Sequence, residues 1–307
     1  MIKLGVKFTD WREKEFYSHI MPVNYAMHFN NHSLKEYSFR KFKELYKNFK
    51  EIHGNVDILE SDKDKAKVIV DGKEYNFDYV VDCGGYPEDY TDYNLNKHIS
   101  LNSCLVHNTK PEEYYYTHHK ATPNGWMFGI PLQKTTGWGY LWNSSITSEL
   151  EAQSNLINLL EEYQVEYFSQ DCKQFEFKNY YAKSIVNEDG NIFVNGNRAL
   201  FLEPIQATSL GCYGLINELI IDCIENKHYD HEKYTTVMDE VIKFINLHYY
   251  NGSDYDTPFW EIATKGAKDR YWFTPKEKIK LRSLVEVKKF LAAVAKTNGD
   301  EKEAKAI

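Results

Sequence analysis

The stretch Phe201-Leu202-Glu203-Pro204-Ile205-Gln206-Ala207-Thr208-Ser209 constrains the fold more than any other part of the chain. It closes a β-rich segment, Asn191 to Leu202, and opens the most apolar helix in the sequence, Leu210 to Ile224. Pro204 has no N–H for a strand ladder and a fixed φ, so the strand ends there. Thr208 or Ser209 then stands where a side-chain oxygen accepts an early backbone N–H and caps the helix. The free N–H groups and the positive end of the helix dipole face whatever lies in front of them, which suits an anion. The alternative is a well-capped buried helix that binds nothing.

At 307 residues the chain makes one large domain or two small ones, and 42% hydrophobic with 15% aromatic residues is ample for a core. Asp+Glu number 45 against Lys+Arg 37, a net charge of −8, so there is no basic field for nucleic acid. The cysteines, Cys83, Cys104, Cys172, Cys212 and Cys223, are odd in number and form no C-x-x-C. They point to reduced thiols in a cytoplasmic setting, without a disulfide framework or a metal site. Lys3, Lys7 and Asp10 interrupt any N-terminal apolar run, so no signal peptide is expected. The stretch Leu215 to Ile224 is broken by Glu218 and Asp222 and is too short to span a bilayer.

Along the chain, Ile2, Leu4, Val6 and Phe8 alternate with Lys3, Gly5, Lys7 and Thr9, the period of a half-buried strand with Lys3 and Lys7 on one face. Glu15 to His28 reads as irregular. Ser33 to Ile52 reads as a helix with an apolar stripe of Leu34, Tyr37, Phe39, Phe42, Leu45 and Phe49. Strands follow at Val56 to Leu59, Lys67 to Val70 and Lys73 to Phe77, the last two joined by an Asp71-Gly72 hairpin turn. Asp78 to Gly85 is a buried strand emptying into a glycine loop where backbone can approach a ligand. Trp126 and Phe128 share a strand face and suit core or a wall rather than a catalyst. Thr147 to Tyr163 is a helix with Ser148 and Glu151 spaced as a capping box. Phe175 to Ala182 and Ile192 to Leu202 are strands, and Leu210 to Asn226 and Asp230 to Tyr250 are amphipathic helices. Beyond Ala267 comes a Lys/Glu-rich helix and then a charged tail of disordered composition.

Several of these stretches resemble, in order, segments of the flavin-dependent tryptophan halogenases. Gly5-Val6-Lys7-Phe8-Thr9-Asp10-Trp11 is similar to their Ala-Ile-Lys-Phe-Val-Asn-Trp. Asp82-Cys83-Gly84-Gly85 resembles an Asp-Cys-Ser-Gly strand end. Gly125 to Pro131 resembles Trp-x-Trp-x-Ile-Pro with Phe128 in place of the second Trp, and Gly137-Trp138-Gly139-Tyr140-Leu141 resembles Gly-x-Gly-Tyr-Val. Phe201 to Ser209 resembles Phe-Leu-Glu-Pro-Leu-Glu-Ser-Thr, and Asp256-Thr257-Pro258-Phe259-Trp260 resembles Asp-Thr-Pro-Phe-Trp.

The resemblance implies a mixed α/β fold: an incomplete, three-layer, flavin-monooxygenase-like FAD-binding domain over residues 1–267, and a helical charged tail over 268–307. It implies reduced FAD, O₂ and chloride or bromide as reagents, with a flavin reductase supplying the reduced flavin and tryptophan or another electron-rich indole as acceptor. Carried across, the catalytic lysine falls on Lys3 and the carboxylate on Gln206, with Glu203 retained beside it. The halide turn falls on Thr208 and Ser209, flavin contacts on Asp82, Gly84, Gly85 and Pro204, and the substrate wall on Trp126 and Phe128. An amide at Gln206 cannot act as a base. The family's Gly-x-Gly-x-x-Gly turn, which seats the FAD pyrophosphate on a helix start, is not in these 307 residues. FAD binding by the chain alone is therefore expected to be weak or absent, with the missing unit supplied by a separate chain or lost. Two readings stay open beside halogenation: an oxygenase-like protein without halide chemistry, and an inactive or partner-dependent remnant acting as a binding subunit.

Overall fold

The computed structural model describes residues 2–3, 5–9, 15–19, 26–114, 116–167, 172–250, 253 and 255–270, with backbone alone for residues 2–26 of that set and for Ile58, Gln206, Leu247, Tyr250 and residues 268–270. The first elements are β1 (Ile2–Lys3), β2 (Gly5–Thr9), β3 (Glu15–His19), β4 (Ala26–Met27), α1 (Asn31–Leu45), β5 (Val56–Ser61), β6 (Ala66–Val70), β7 (Lys73–Phe77), β8 (Val80–Asp82) and β9 (Tyr93–Leu95). The middle of the chain forms β10 (Ser103–Thr109), β11 (Tyr116–Thr122), β12 (Gly125–Pro131), β13 (Thr136–Trp142), α2 (Glu149–Glu162), β14 (Lys173–Glu176) and β15 (Tyr180–Ala182). Then come β16 (Ile192–Val194), β17 (Leu200–Phe201), α3 (Thr208–Asn226), α4 (His231–Tyr250) and α5 (Pro258–Arg270). The mixed α/β class expected from the sequence is the class observed.

The chain divides into two compact units, each assembled from separated stretches: residues 1–33, 100–177 and 247–307 in the first, 34–99 and 178–246 in the second. The first unit is built on a seven-stranded sheet in the order β14-β10-β13-β12-β11-β2-β3. Its neighbours are antiparallel except β11 and β2, which run parallel with His118 opposite Lys7. One face carries Leu105, Met127, Trp138, Tyr140 and Trp142, and α2 lays Ala152, Leu156, Leu159 and Leu160 against them. Those helix positions recur at the spacing of one helical face. Ser148 caps α2 by accepting the Glu151 N–H at 3.3 Å, as the box spacing predicts. Gly125 is required where it stands, because a Cβ there would lie 2.0 Å from the Leu141 carbonyl oxygen across the β12–β13 ladder.

The second unit holds three small sheets: β5-β6-β7 and β17-β15-β9, both antiparallel, and the parallel pair β16-β8. Asp71 and Gly72 turn the β6–β7 hairpin with φ of 48° and 76°, the left-handed pair that a two-residue hairpin demands. α3 and α4 bury Cys212, Ile216, Leu219 and Ile220, and Tyr234, Met238, Ile242 and Ile245.

Four local expectations need correction. Glu15 to His28 is not irregular throughout: its ends form β3, paired to β2, and β4, paired to β1. The first helix stops at Leu45, short of Ile52, and Phe49 folds back against Phe39 and Phe42. Phe175 to Ala182 is two strands in different units, broken at Phe177-Lys178-Asn179. Ile192 to Leu202 is likewise two short strands, parted by a 3₁₀ turn over Gly196–Arg198 with Gly196 at φ 60°. The tail beyond residue 270 lies outside the described residues. Among the described residues no helix is long and apolar enough to cross a membrane.

Candidate active site

In the first unit Trp126 and Phe128 lie on the sheet face opposite α2. The two rings lie 6.1 Å apart, and the His119 ring is 5.3 Å from Trp126. Trp126 is buried, its indole N–H donating to the Tyr249 hydroxyl at 2.9 Å. Phe128 is half-buried with the end of its ring over Gly139, where a Cβ would come within 2.1 Å of it. The glycine of the Gly-x-Gly-Tyr segment thus has a physical reason: it makes room for the aromatic of the neighbouring strand. Trp260 closes the far side of this layer, donating its indole N–H to the Thr122 carbonyl at 2.6 Å. Pro258 is the first residue of α5, where its missing N–H costs nothing.

His28 belongs to the same unit and carried no sequence-based assignment. It is buried, with Nδ1 3.0 Å from the Pro131 carbonyl and Nε2 3.0 Å from the Thr117 hydroxyl. A carbonyl only accepts, so Nδ1 carries a proton. The backbone of Lys3 pairs with Ala26 in the short β1–β4 ladder, close in sequence to His28. The Lys3 side chain lies outside the described residues.

In the second unit the Phe201–Ser209 turn departs from the expected cap. The residue at the N-cap of α3 is Ala207, in the left-handed region at φ 51°, and no side chain caps the helix. Thr208 and Ser209 are already helical. Pro204 is exposed and precedes a 3₁₀ turn over Ile205–Ala207, so the chain winds into α3 rather than entering from an extended cap residue. An alanine held left-handed costs about 1–2 kcal/mol, a strain of the kind found at functional turns. The Thr208 Oγ1 is buried and has no hydrogen-bond partner among the described residues. Ser209 is engaged with Tyr213, whose hydroxyl donates to Asn197 Oδ1 at 2.7 Å, and burial pushes the Tyr213 phenol up to about 12.

Glu203 is fully buried, and its carboxylate accepts the Ile205 N–H at 3.3 Å while its own N–H donates to Asn179 Oδ1 at 2.8 Å. The first of these ties the carboxylate to its own turn. The Gln206 side chain lies outside the described residues.

The other group in this unit is the end of β8. Asp82 Oδ1 accepts the Gly84 N–H at 2.7 Å, and Oδ2 sits 3.0 Å from Arg198 Nε. A Cβ at Gly84 would crowd Asp82 and Arg198, whereas one at Gly85, with φ 91°, would meet nothing. Cys83 beside them is exposed, and partial burial together with the Asp82 charge pushes its thiol up. Arg198 went unnoticed in the sequence; the signal for it was the turn-forming run Asn195-Gly196-Asn197 just before it.

The tryptophan halogenase family model matches residues 6–282. The chain belongs to the tryptophan halogenase family. Tryptophan 7-halogenase RebH of Lentzea aerocolonigenes is 23% identical over 264 residues, covering 78% of this chain and 48% of that enzyme. Tryptophan 7-halogenase KtzQ of Kutzneria sp. (strain 744) is 24% identical over 220 residues, 62% of this chain and 39% of its own. The chain thus spans about half the length, or less, of these curated halogenases. Among solved structures, a tryptophan halogenase from Shewanella frigidimarina superposes with a TM-score of 0.66 at 21% identity, over 84% of this chain and 52% of that one. The flavin-dependent halogenase BrvH from Brevundimonas sp. BAL3 gives 0.70 at 17% identity, over 86% and 68%. These likenesses carry the fold.

FAD, which the family implies, fits part of what is here. Gly85, where a Cβ would meet nothing, leaves open space for a flat ring near the end of β8, while the glycine-rich turn for its pyrophosphate is not in the 307 residues.

Proposed function

We propose that this chain carries the halide-binding turn and the substrate wall of a flavin-dependent halogenase. Its reaction would move an oxidised chloride or bromide onto an electron-rich aromatic carbon, tryptophan or another indole. The observation that carries this reading is the buried, unpartnered Thr208 hydroxyl at the uncapped start of α3. A helix start without a side-chain cap leaves N–H groups free for an anion, and a donor without an acceptor beside them suits a halide.

Reduced FAD, when bound, would supply two electrons that take O₂ to the peroxide level, at which it can take two more from the halide, and a flavin reductase would supply the reduced flavin. Gly84, Gly85 and Asp82 would hold the ring end, with Pro204 shaping the turn in front of α3. Thr208 and Ser209 would hold the halide. The Lys3 amine would take the oxidised halogen and present it to the ring carbon, with Trp126 and Phe128 as the wall that shields this step from water. The leaving ring proton needs a base: Gln206 cannot be one, so its amide would orient the substrate, and Glu203 is tied to its turn.

Halide binding is read by ³⁵Cl NMR line broadening. Thr208→Val, which keeps shape and removes the donor, is expected to lower the site-specific broadening several-fold; unchanged broadening would end the halide assignment. In an assay with FAD, a flavin reductase, O₂ and bromide, Lys3→Ala is expected to lose halogenated product and keep flavin oxidation. The second reading, a partner-dependent binding subunit, is favoured by the amide at Gln206.

A further inference from the structure

We propose that Asn179 is the positioning residue of the Phe201–Ser209 turn: its side-chain oxygen replaces the last rung of a β-ladder and so fixes where α3 begins. β15 and β17 are antiparallel, with Tyr180 opposite Phe201 and Tyr181 opposite Leu200. The Ala182 N–H donates to the Ala199 carbonyl at 2.7 Å. Hydrogen-bonded pairs alternate along an antiparallel ladder, so Tyr180 with Phe201 is the next such pair and Lys178 with Glu203 would be the one after. At that last place the Glu203 N–H donates instead to Asn179 Oδ1, at 2.8 Å. A backbone N–H needs an acceptor, so the oxygen of the amide and not its nitrogen faces Glu203.

Glu203 is fully buried and Asn179 nearly so. Bulk water therefore does not stand in for this bond, and a buried N–H that loses its acceptor bears its whole desolvation cost. Asn179 is itself held from the other side, its backbone carbonyl accepting the Asn96 N–H at 2.8 Å. Pro204 has no N–H, so Glu203 supplies the last backbone donor before the chain turns. From there the bonds run on to the helix. The Glu203 carboxylate takes the Ile205 N–H at 3.3 Å, and the Pro204 carbonyl takes the Ala207 N–H at 2.9 Å. Ala207, left-handed at φ 51°, then leads into Thr208. Asn179 thus grips the turn at its entry and sets the place of the uncapped helix start that follows. On the halide reading proposed above, on which this role rests, that start is where the anion binds.

Hydrogen exchange followed by NMR reads the Glu203 and Ile205 amides, and ³⁵Cl line broadening reads the helix start. In the unaltered chain the Glu203 amide lies outside every strand, yet it should exchange at least about tenfold more slowly than an exposed amide. Asn179→Leu keeps the shape and removes the acceptor. It should lift that protection and lower the chloride broadening several-fold, with the far-ultraviolet circular dichroism unchanged. Asn179→Ser keeps an acceptor on a shorter arm and should fall between. Should the leucine variant fail to fold, Asn179→Ala removes the same acceptor without crowding and carries the same test. A Glu203 amide that exchanges freely in the unaltered chain, protection that survives Asn179→Leu, or chloride broadening that persists once protection is lost would each overturn the proposal. No chloride broadening in the unaltered chain would end the halide reading alone, and exchange at Glu203 and Ile205 would then still decide whether Asn179 holds the turn.

Discussion

At the scale of single residues, the proposed site departs most from what local rules favour. Thr208 keeps a buried hydroxyl without a partner, and Ala207 holds a left-handed conformation that glycine or asparagine usually takes. Neither feature was legible in the sequence, since Thr-Ser before an apolar run reads as an ordinary cap. Cys83 offers a titratable test of the nearby loop. It is exposed, while Cys104 and Cys212 are buried and pushed up to about 12 and about 11. The thiolate is the nucleophile, so at pH 8 iodoacetamide should label Cys83 well before those two. Because burial and the Asp82 charge raise the Cys83 thiol above its ordinary value of 9.0, its labelling rate should still be climbing from pH 8 to 9. A rate already level by pH 8.5 would contradict the partial burial of the thiol and the Asp82 charge beside it.

At the scale of elements, legibility followed the strength of the local signal. Asp71-Gly72 fixed its hairpin and Ser148 its helix start, because turn and cap chemistry needs no distant partner. Strands β10 and β11 escaped because their buried positions include Ser103, His107, His118, His119 and Lys120, residue types that pattern reading assigns to the surface. The structure shows how Lys120 is accommodated: its ammonium lies 2.7 Å from Glu162, a residue of α2. The cap of that helix gives the element-scale prediction. Ser148→Ala should lower stability by about 1 kcal/mol, seen as a lower denaturant midpoint with unchanged slope, and Ser148→Asp should restore it. No shift in either variant would mean that the cap bond contributes nothing.

At the scale of the whole chain, the family was legible because short motifs survive in order, while the division into units was not, since no composition change marks it. The flavin expectation belongs here. Titrating the 307-residue chain with FAD should give no saturation at micromolar concentrations, because the backbone that seats a pyrophosphate is not among these residues. Micromolar or tighter binding would show that Asp82, Gly84, Gly85 and their surroundings hold the cofactor unaided.

The interleaving of the two units has a consequence for anyone cutting the gene. Both stretches of the second unit, 34–99 and 178–246, flank the 100–177 stretch of the first, and the first resumes at 247. Any contiguous segment that contains all of one unit therefore includes a large part of the other. Neither can be subcloned, recombined or deleted as a cassette, and a library that shuffles these sequences must join each unit at several breakpoints.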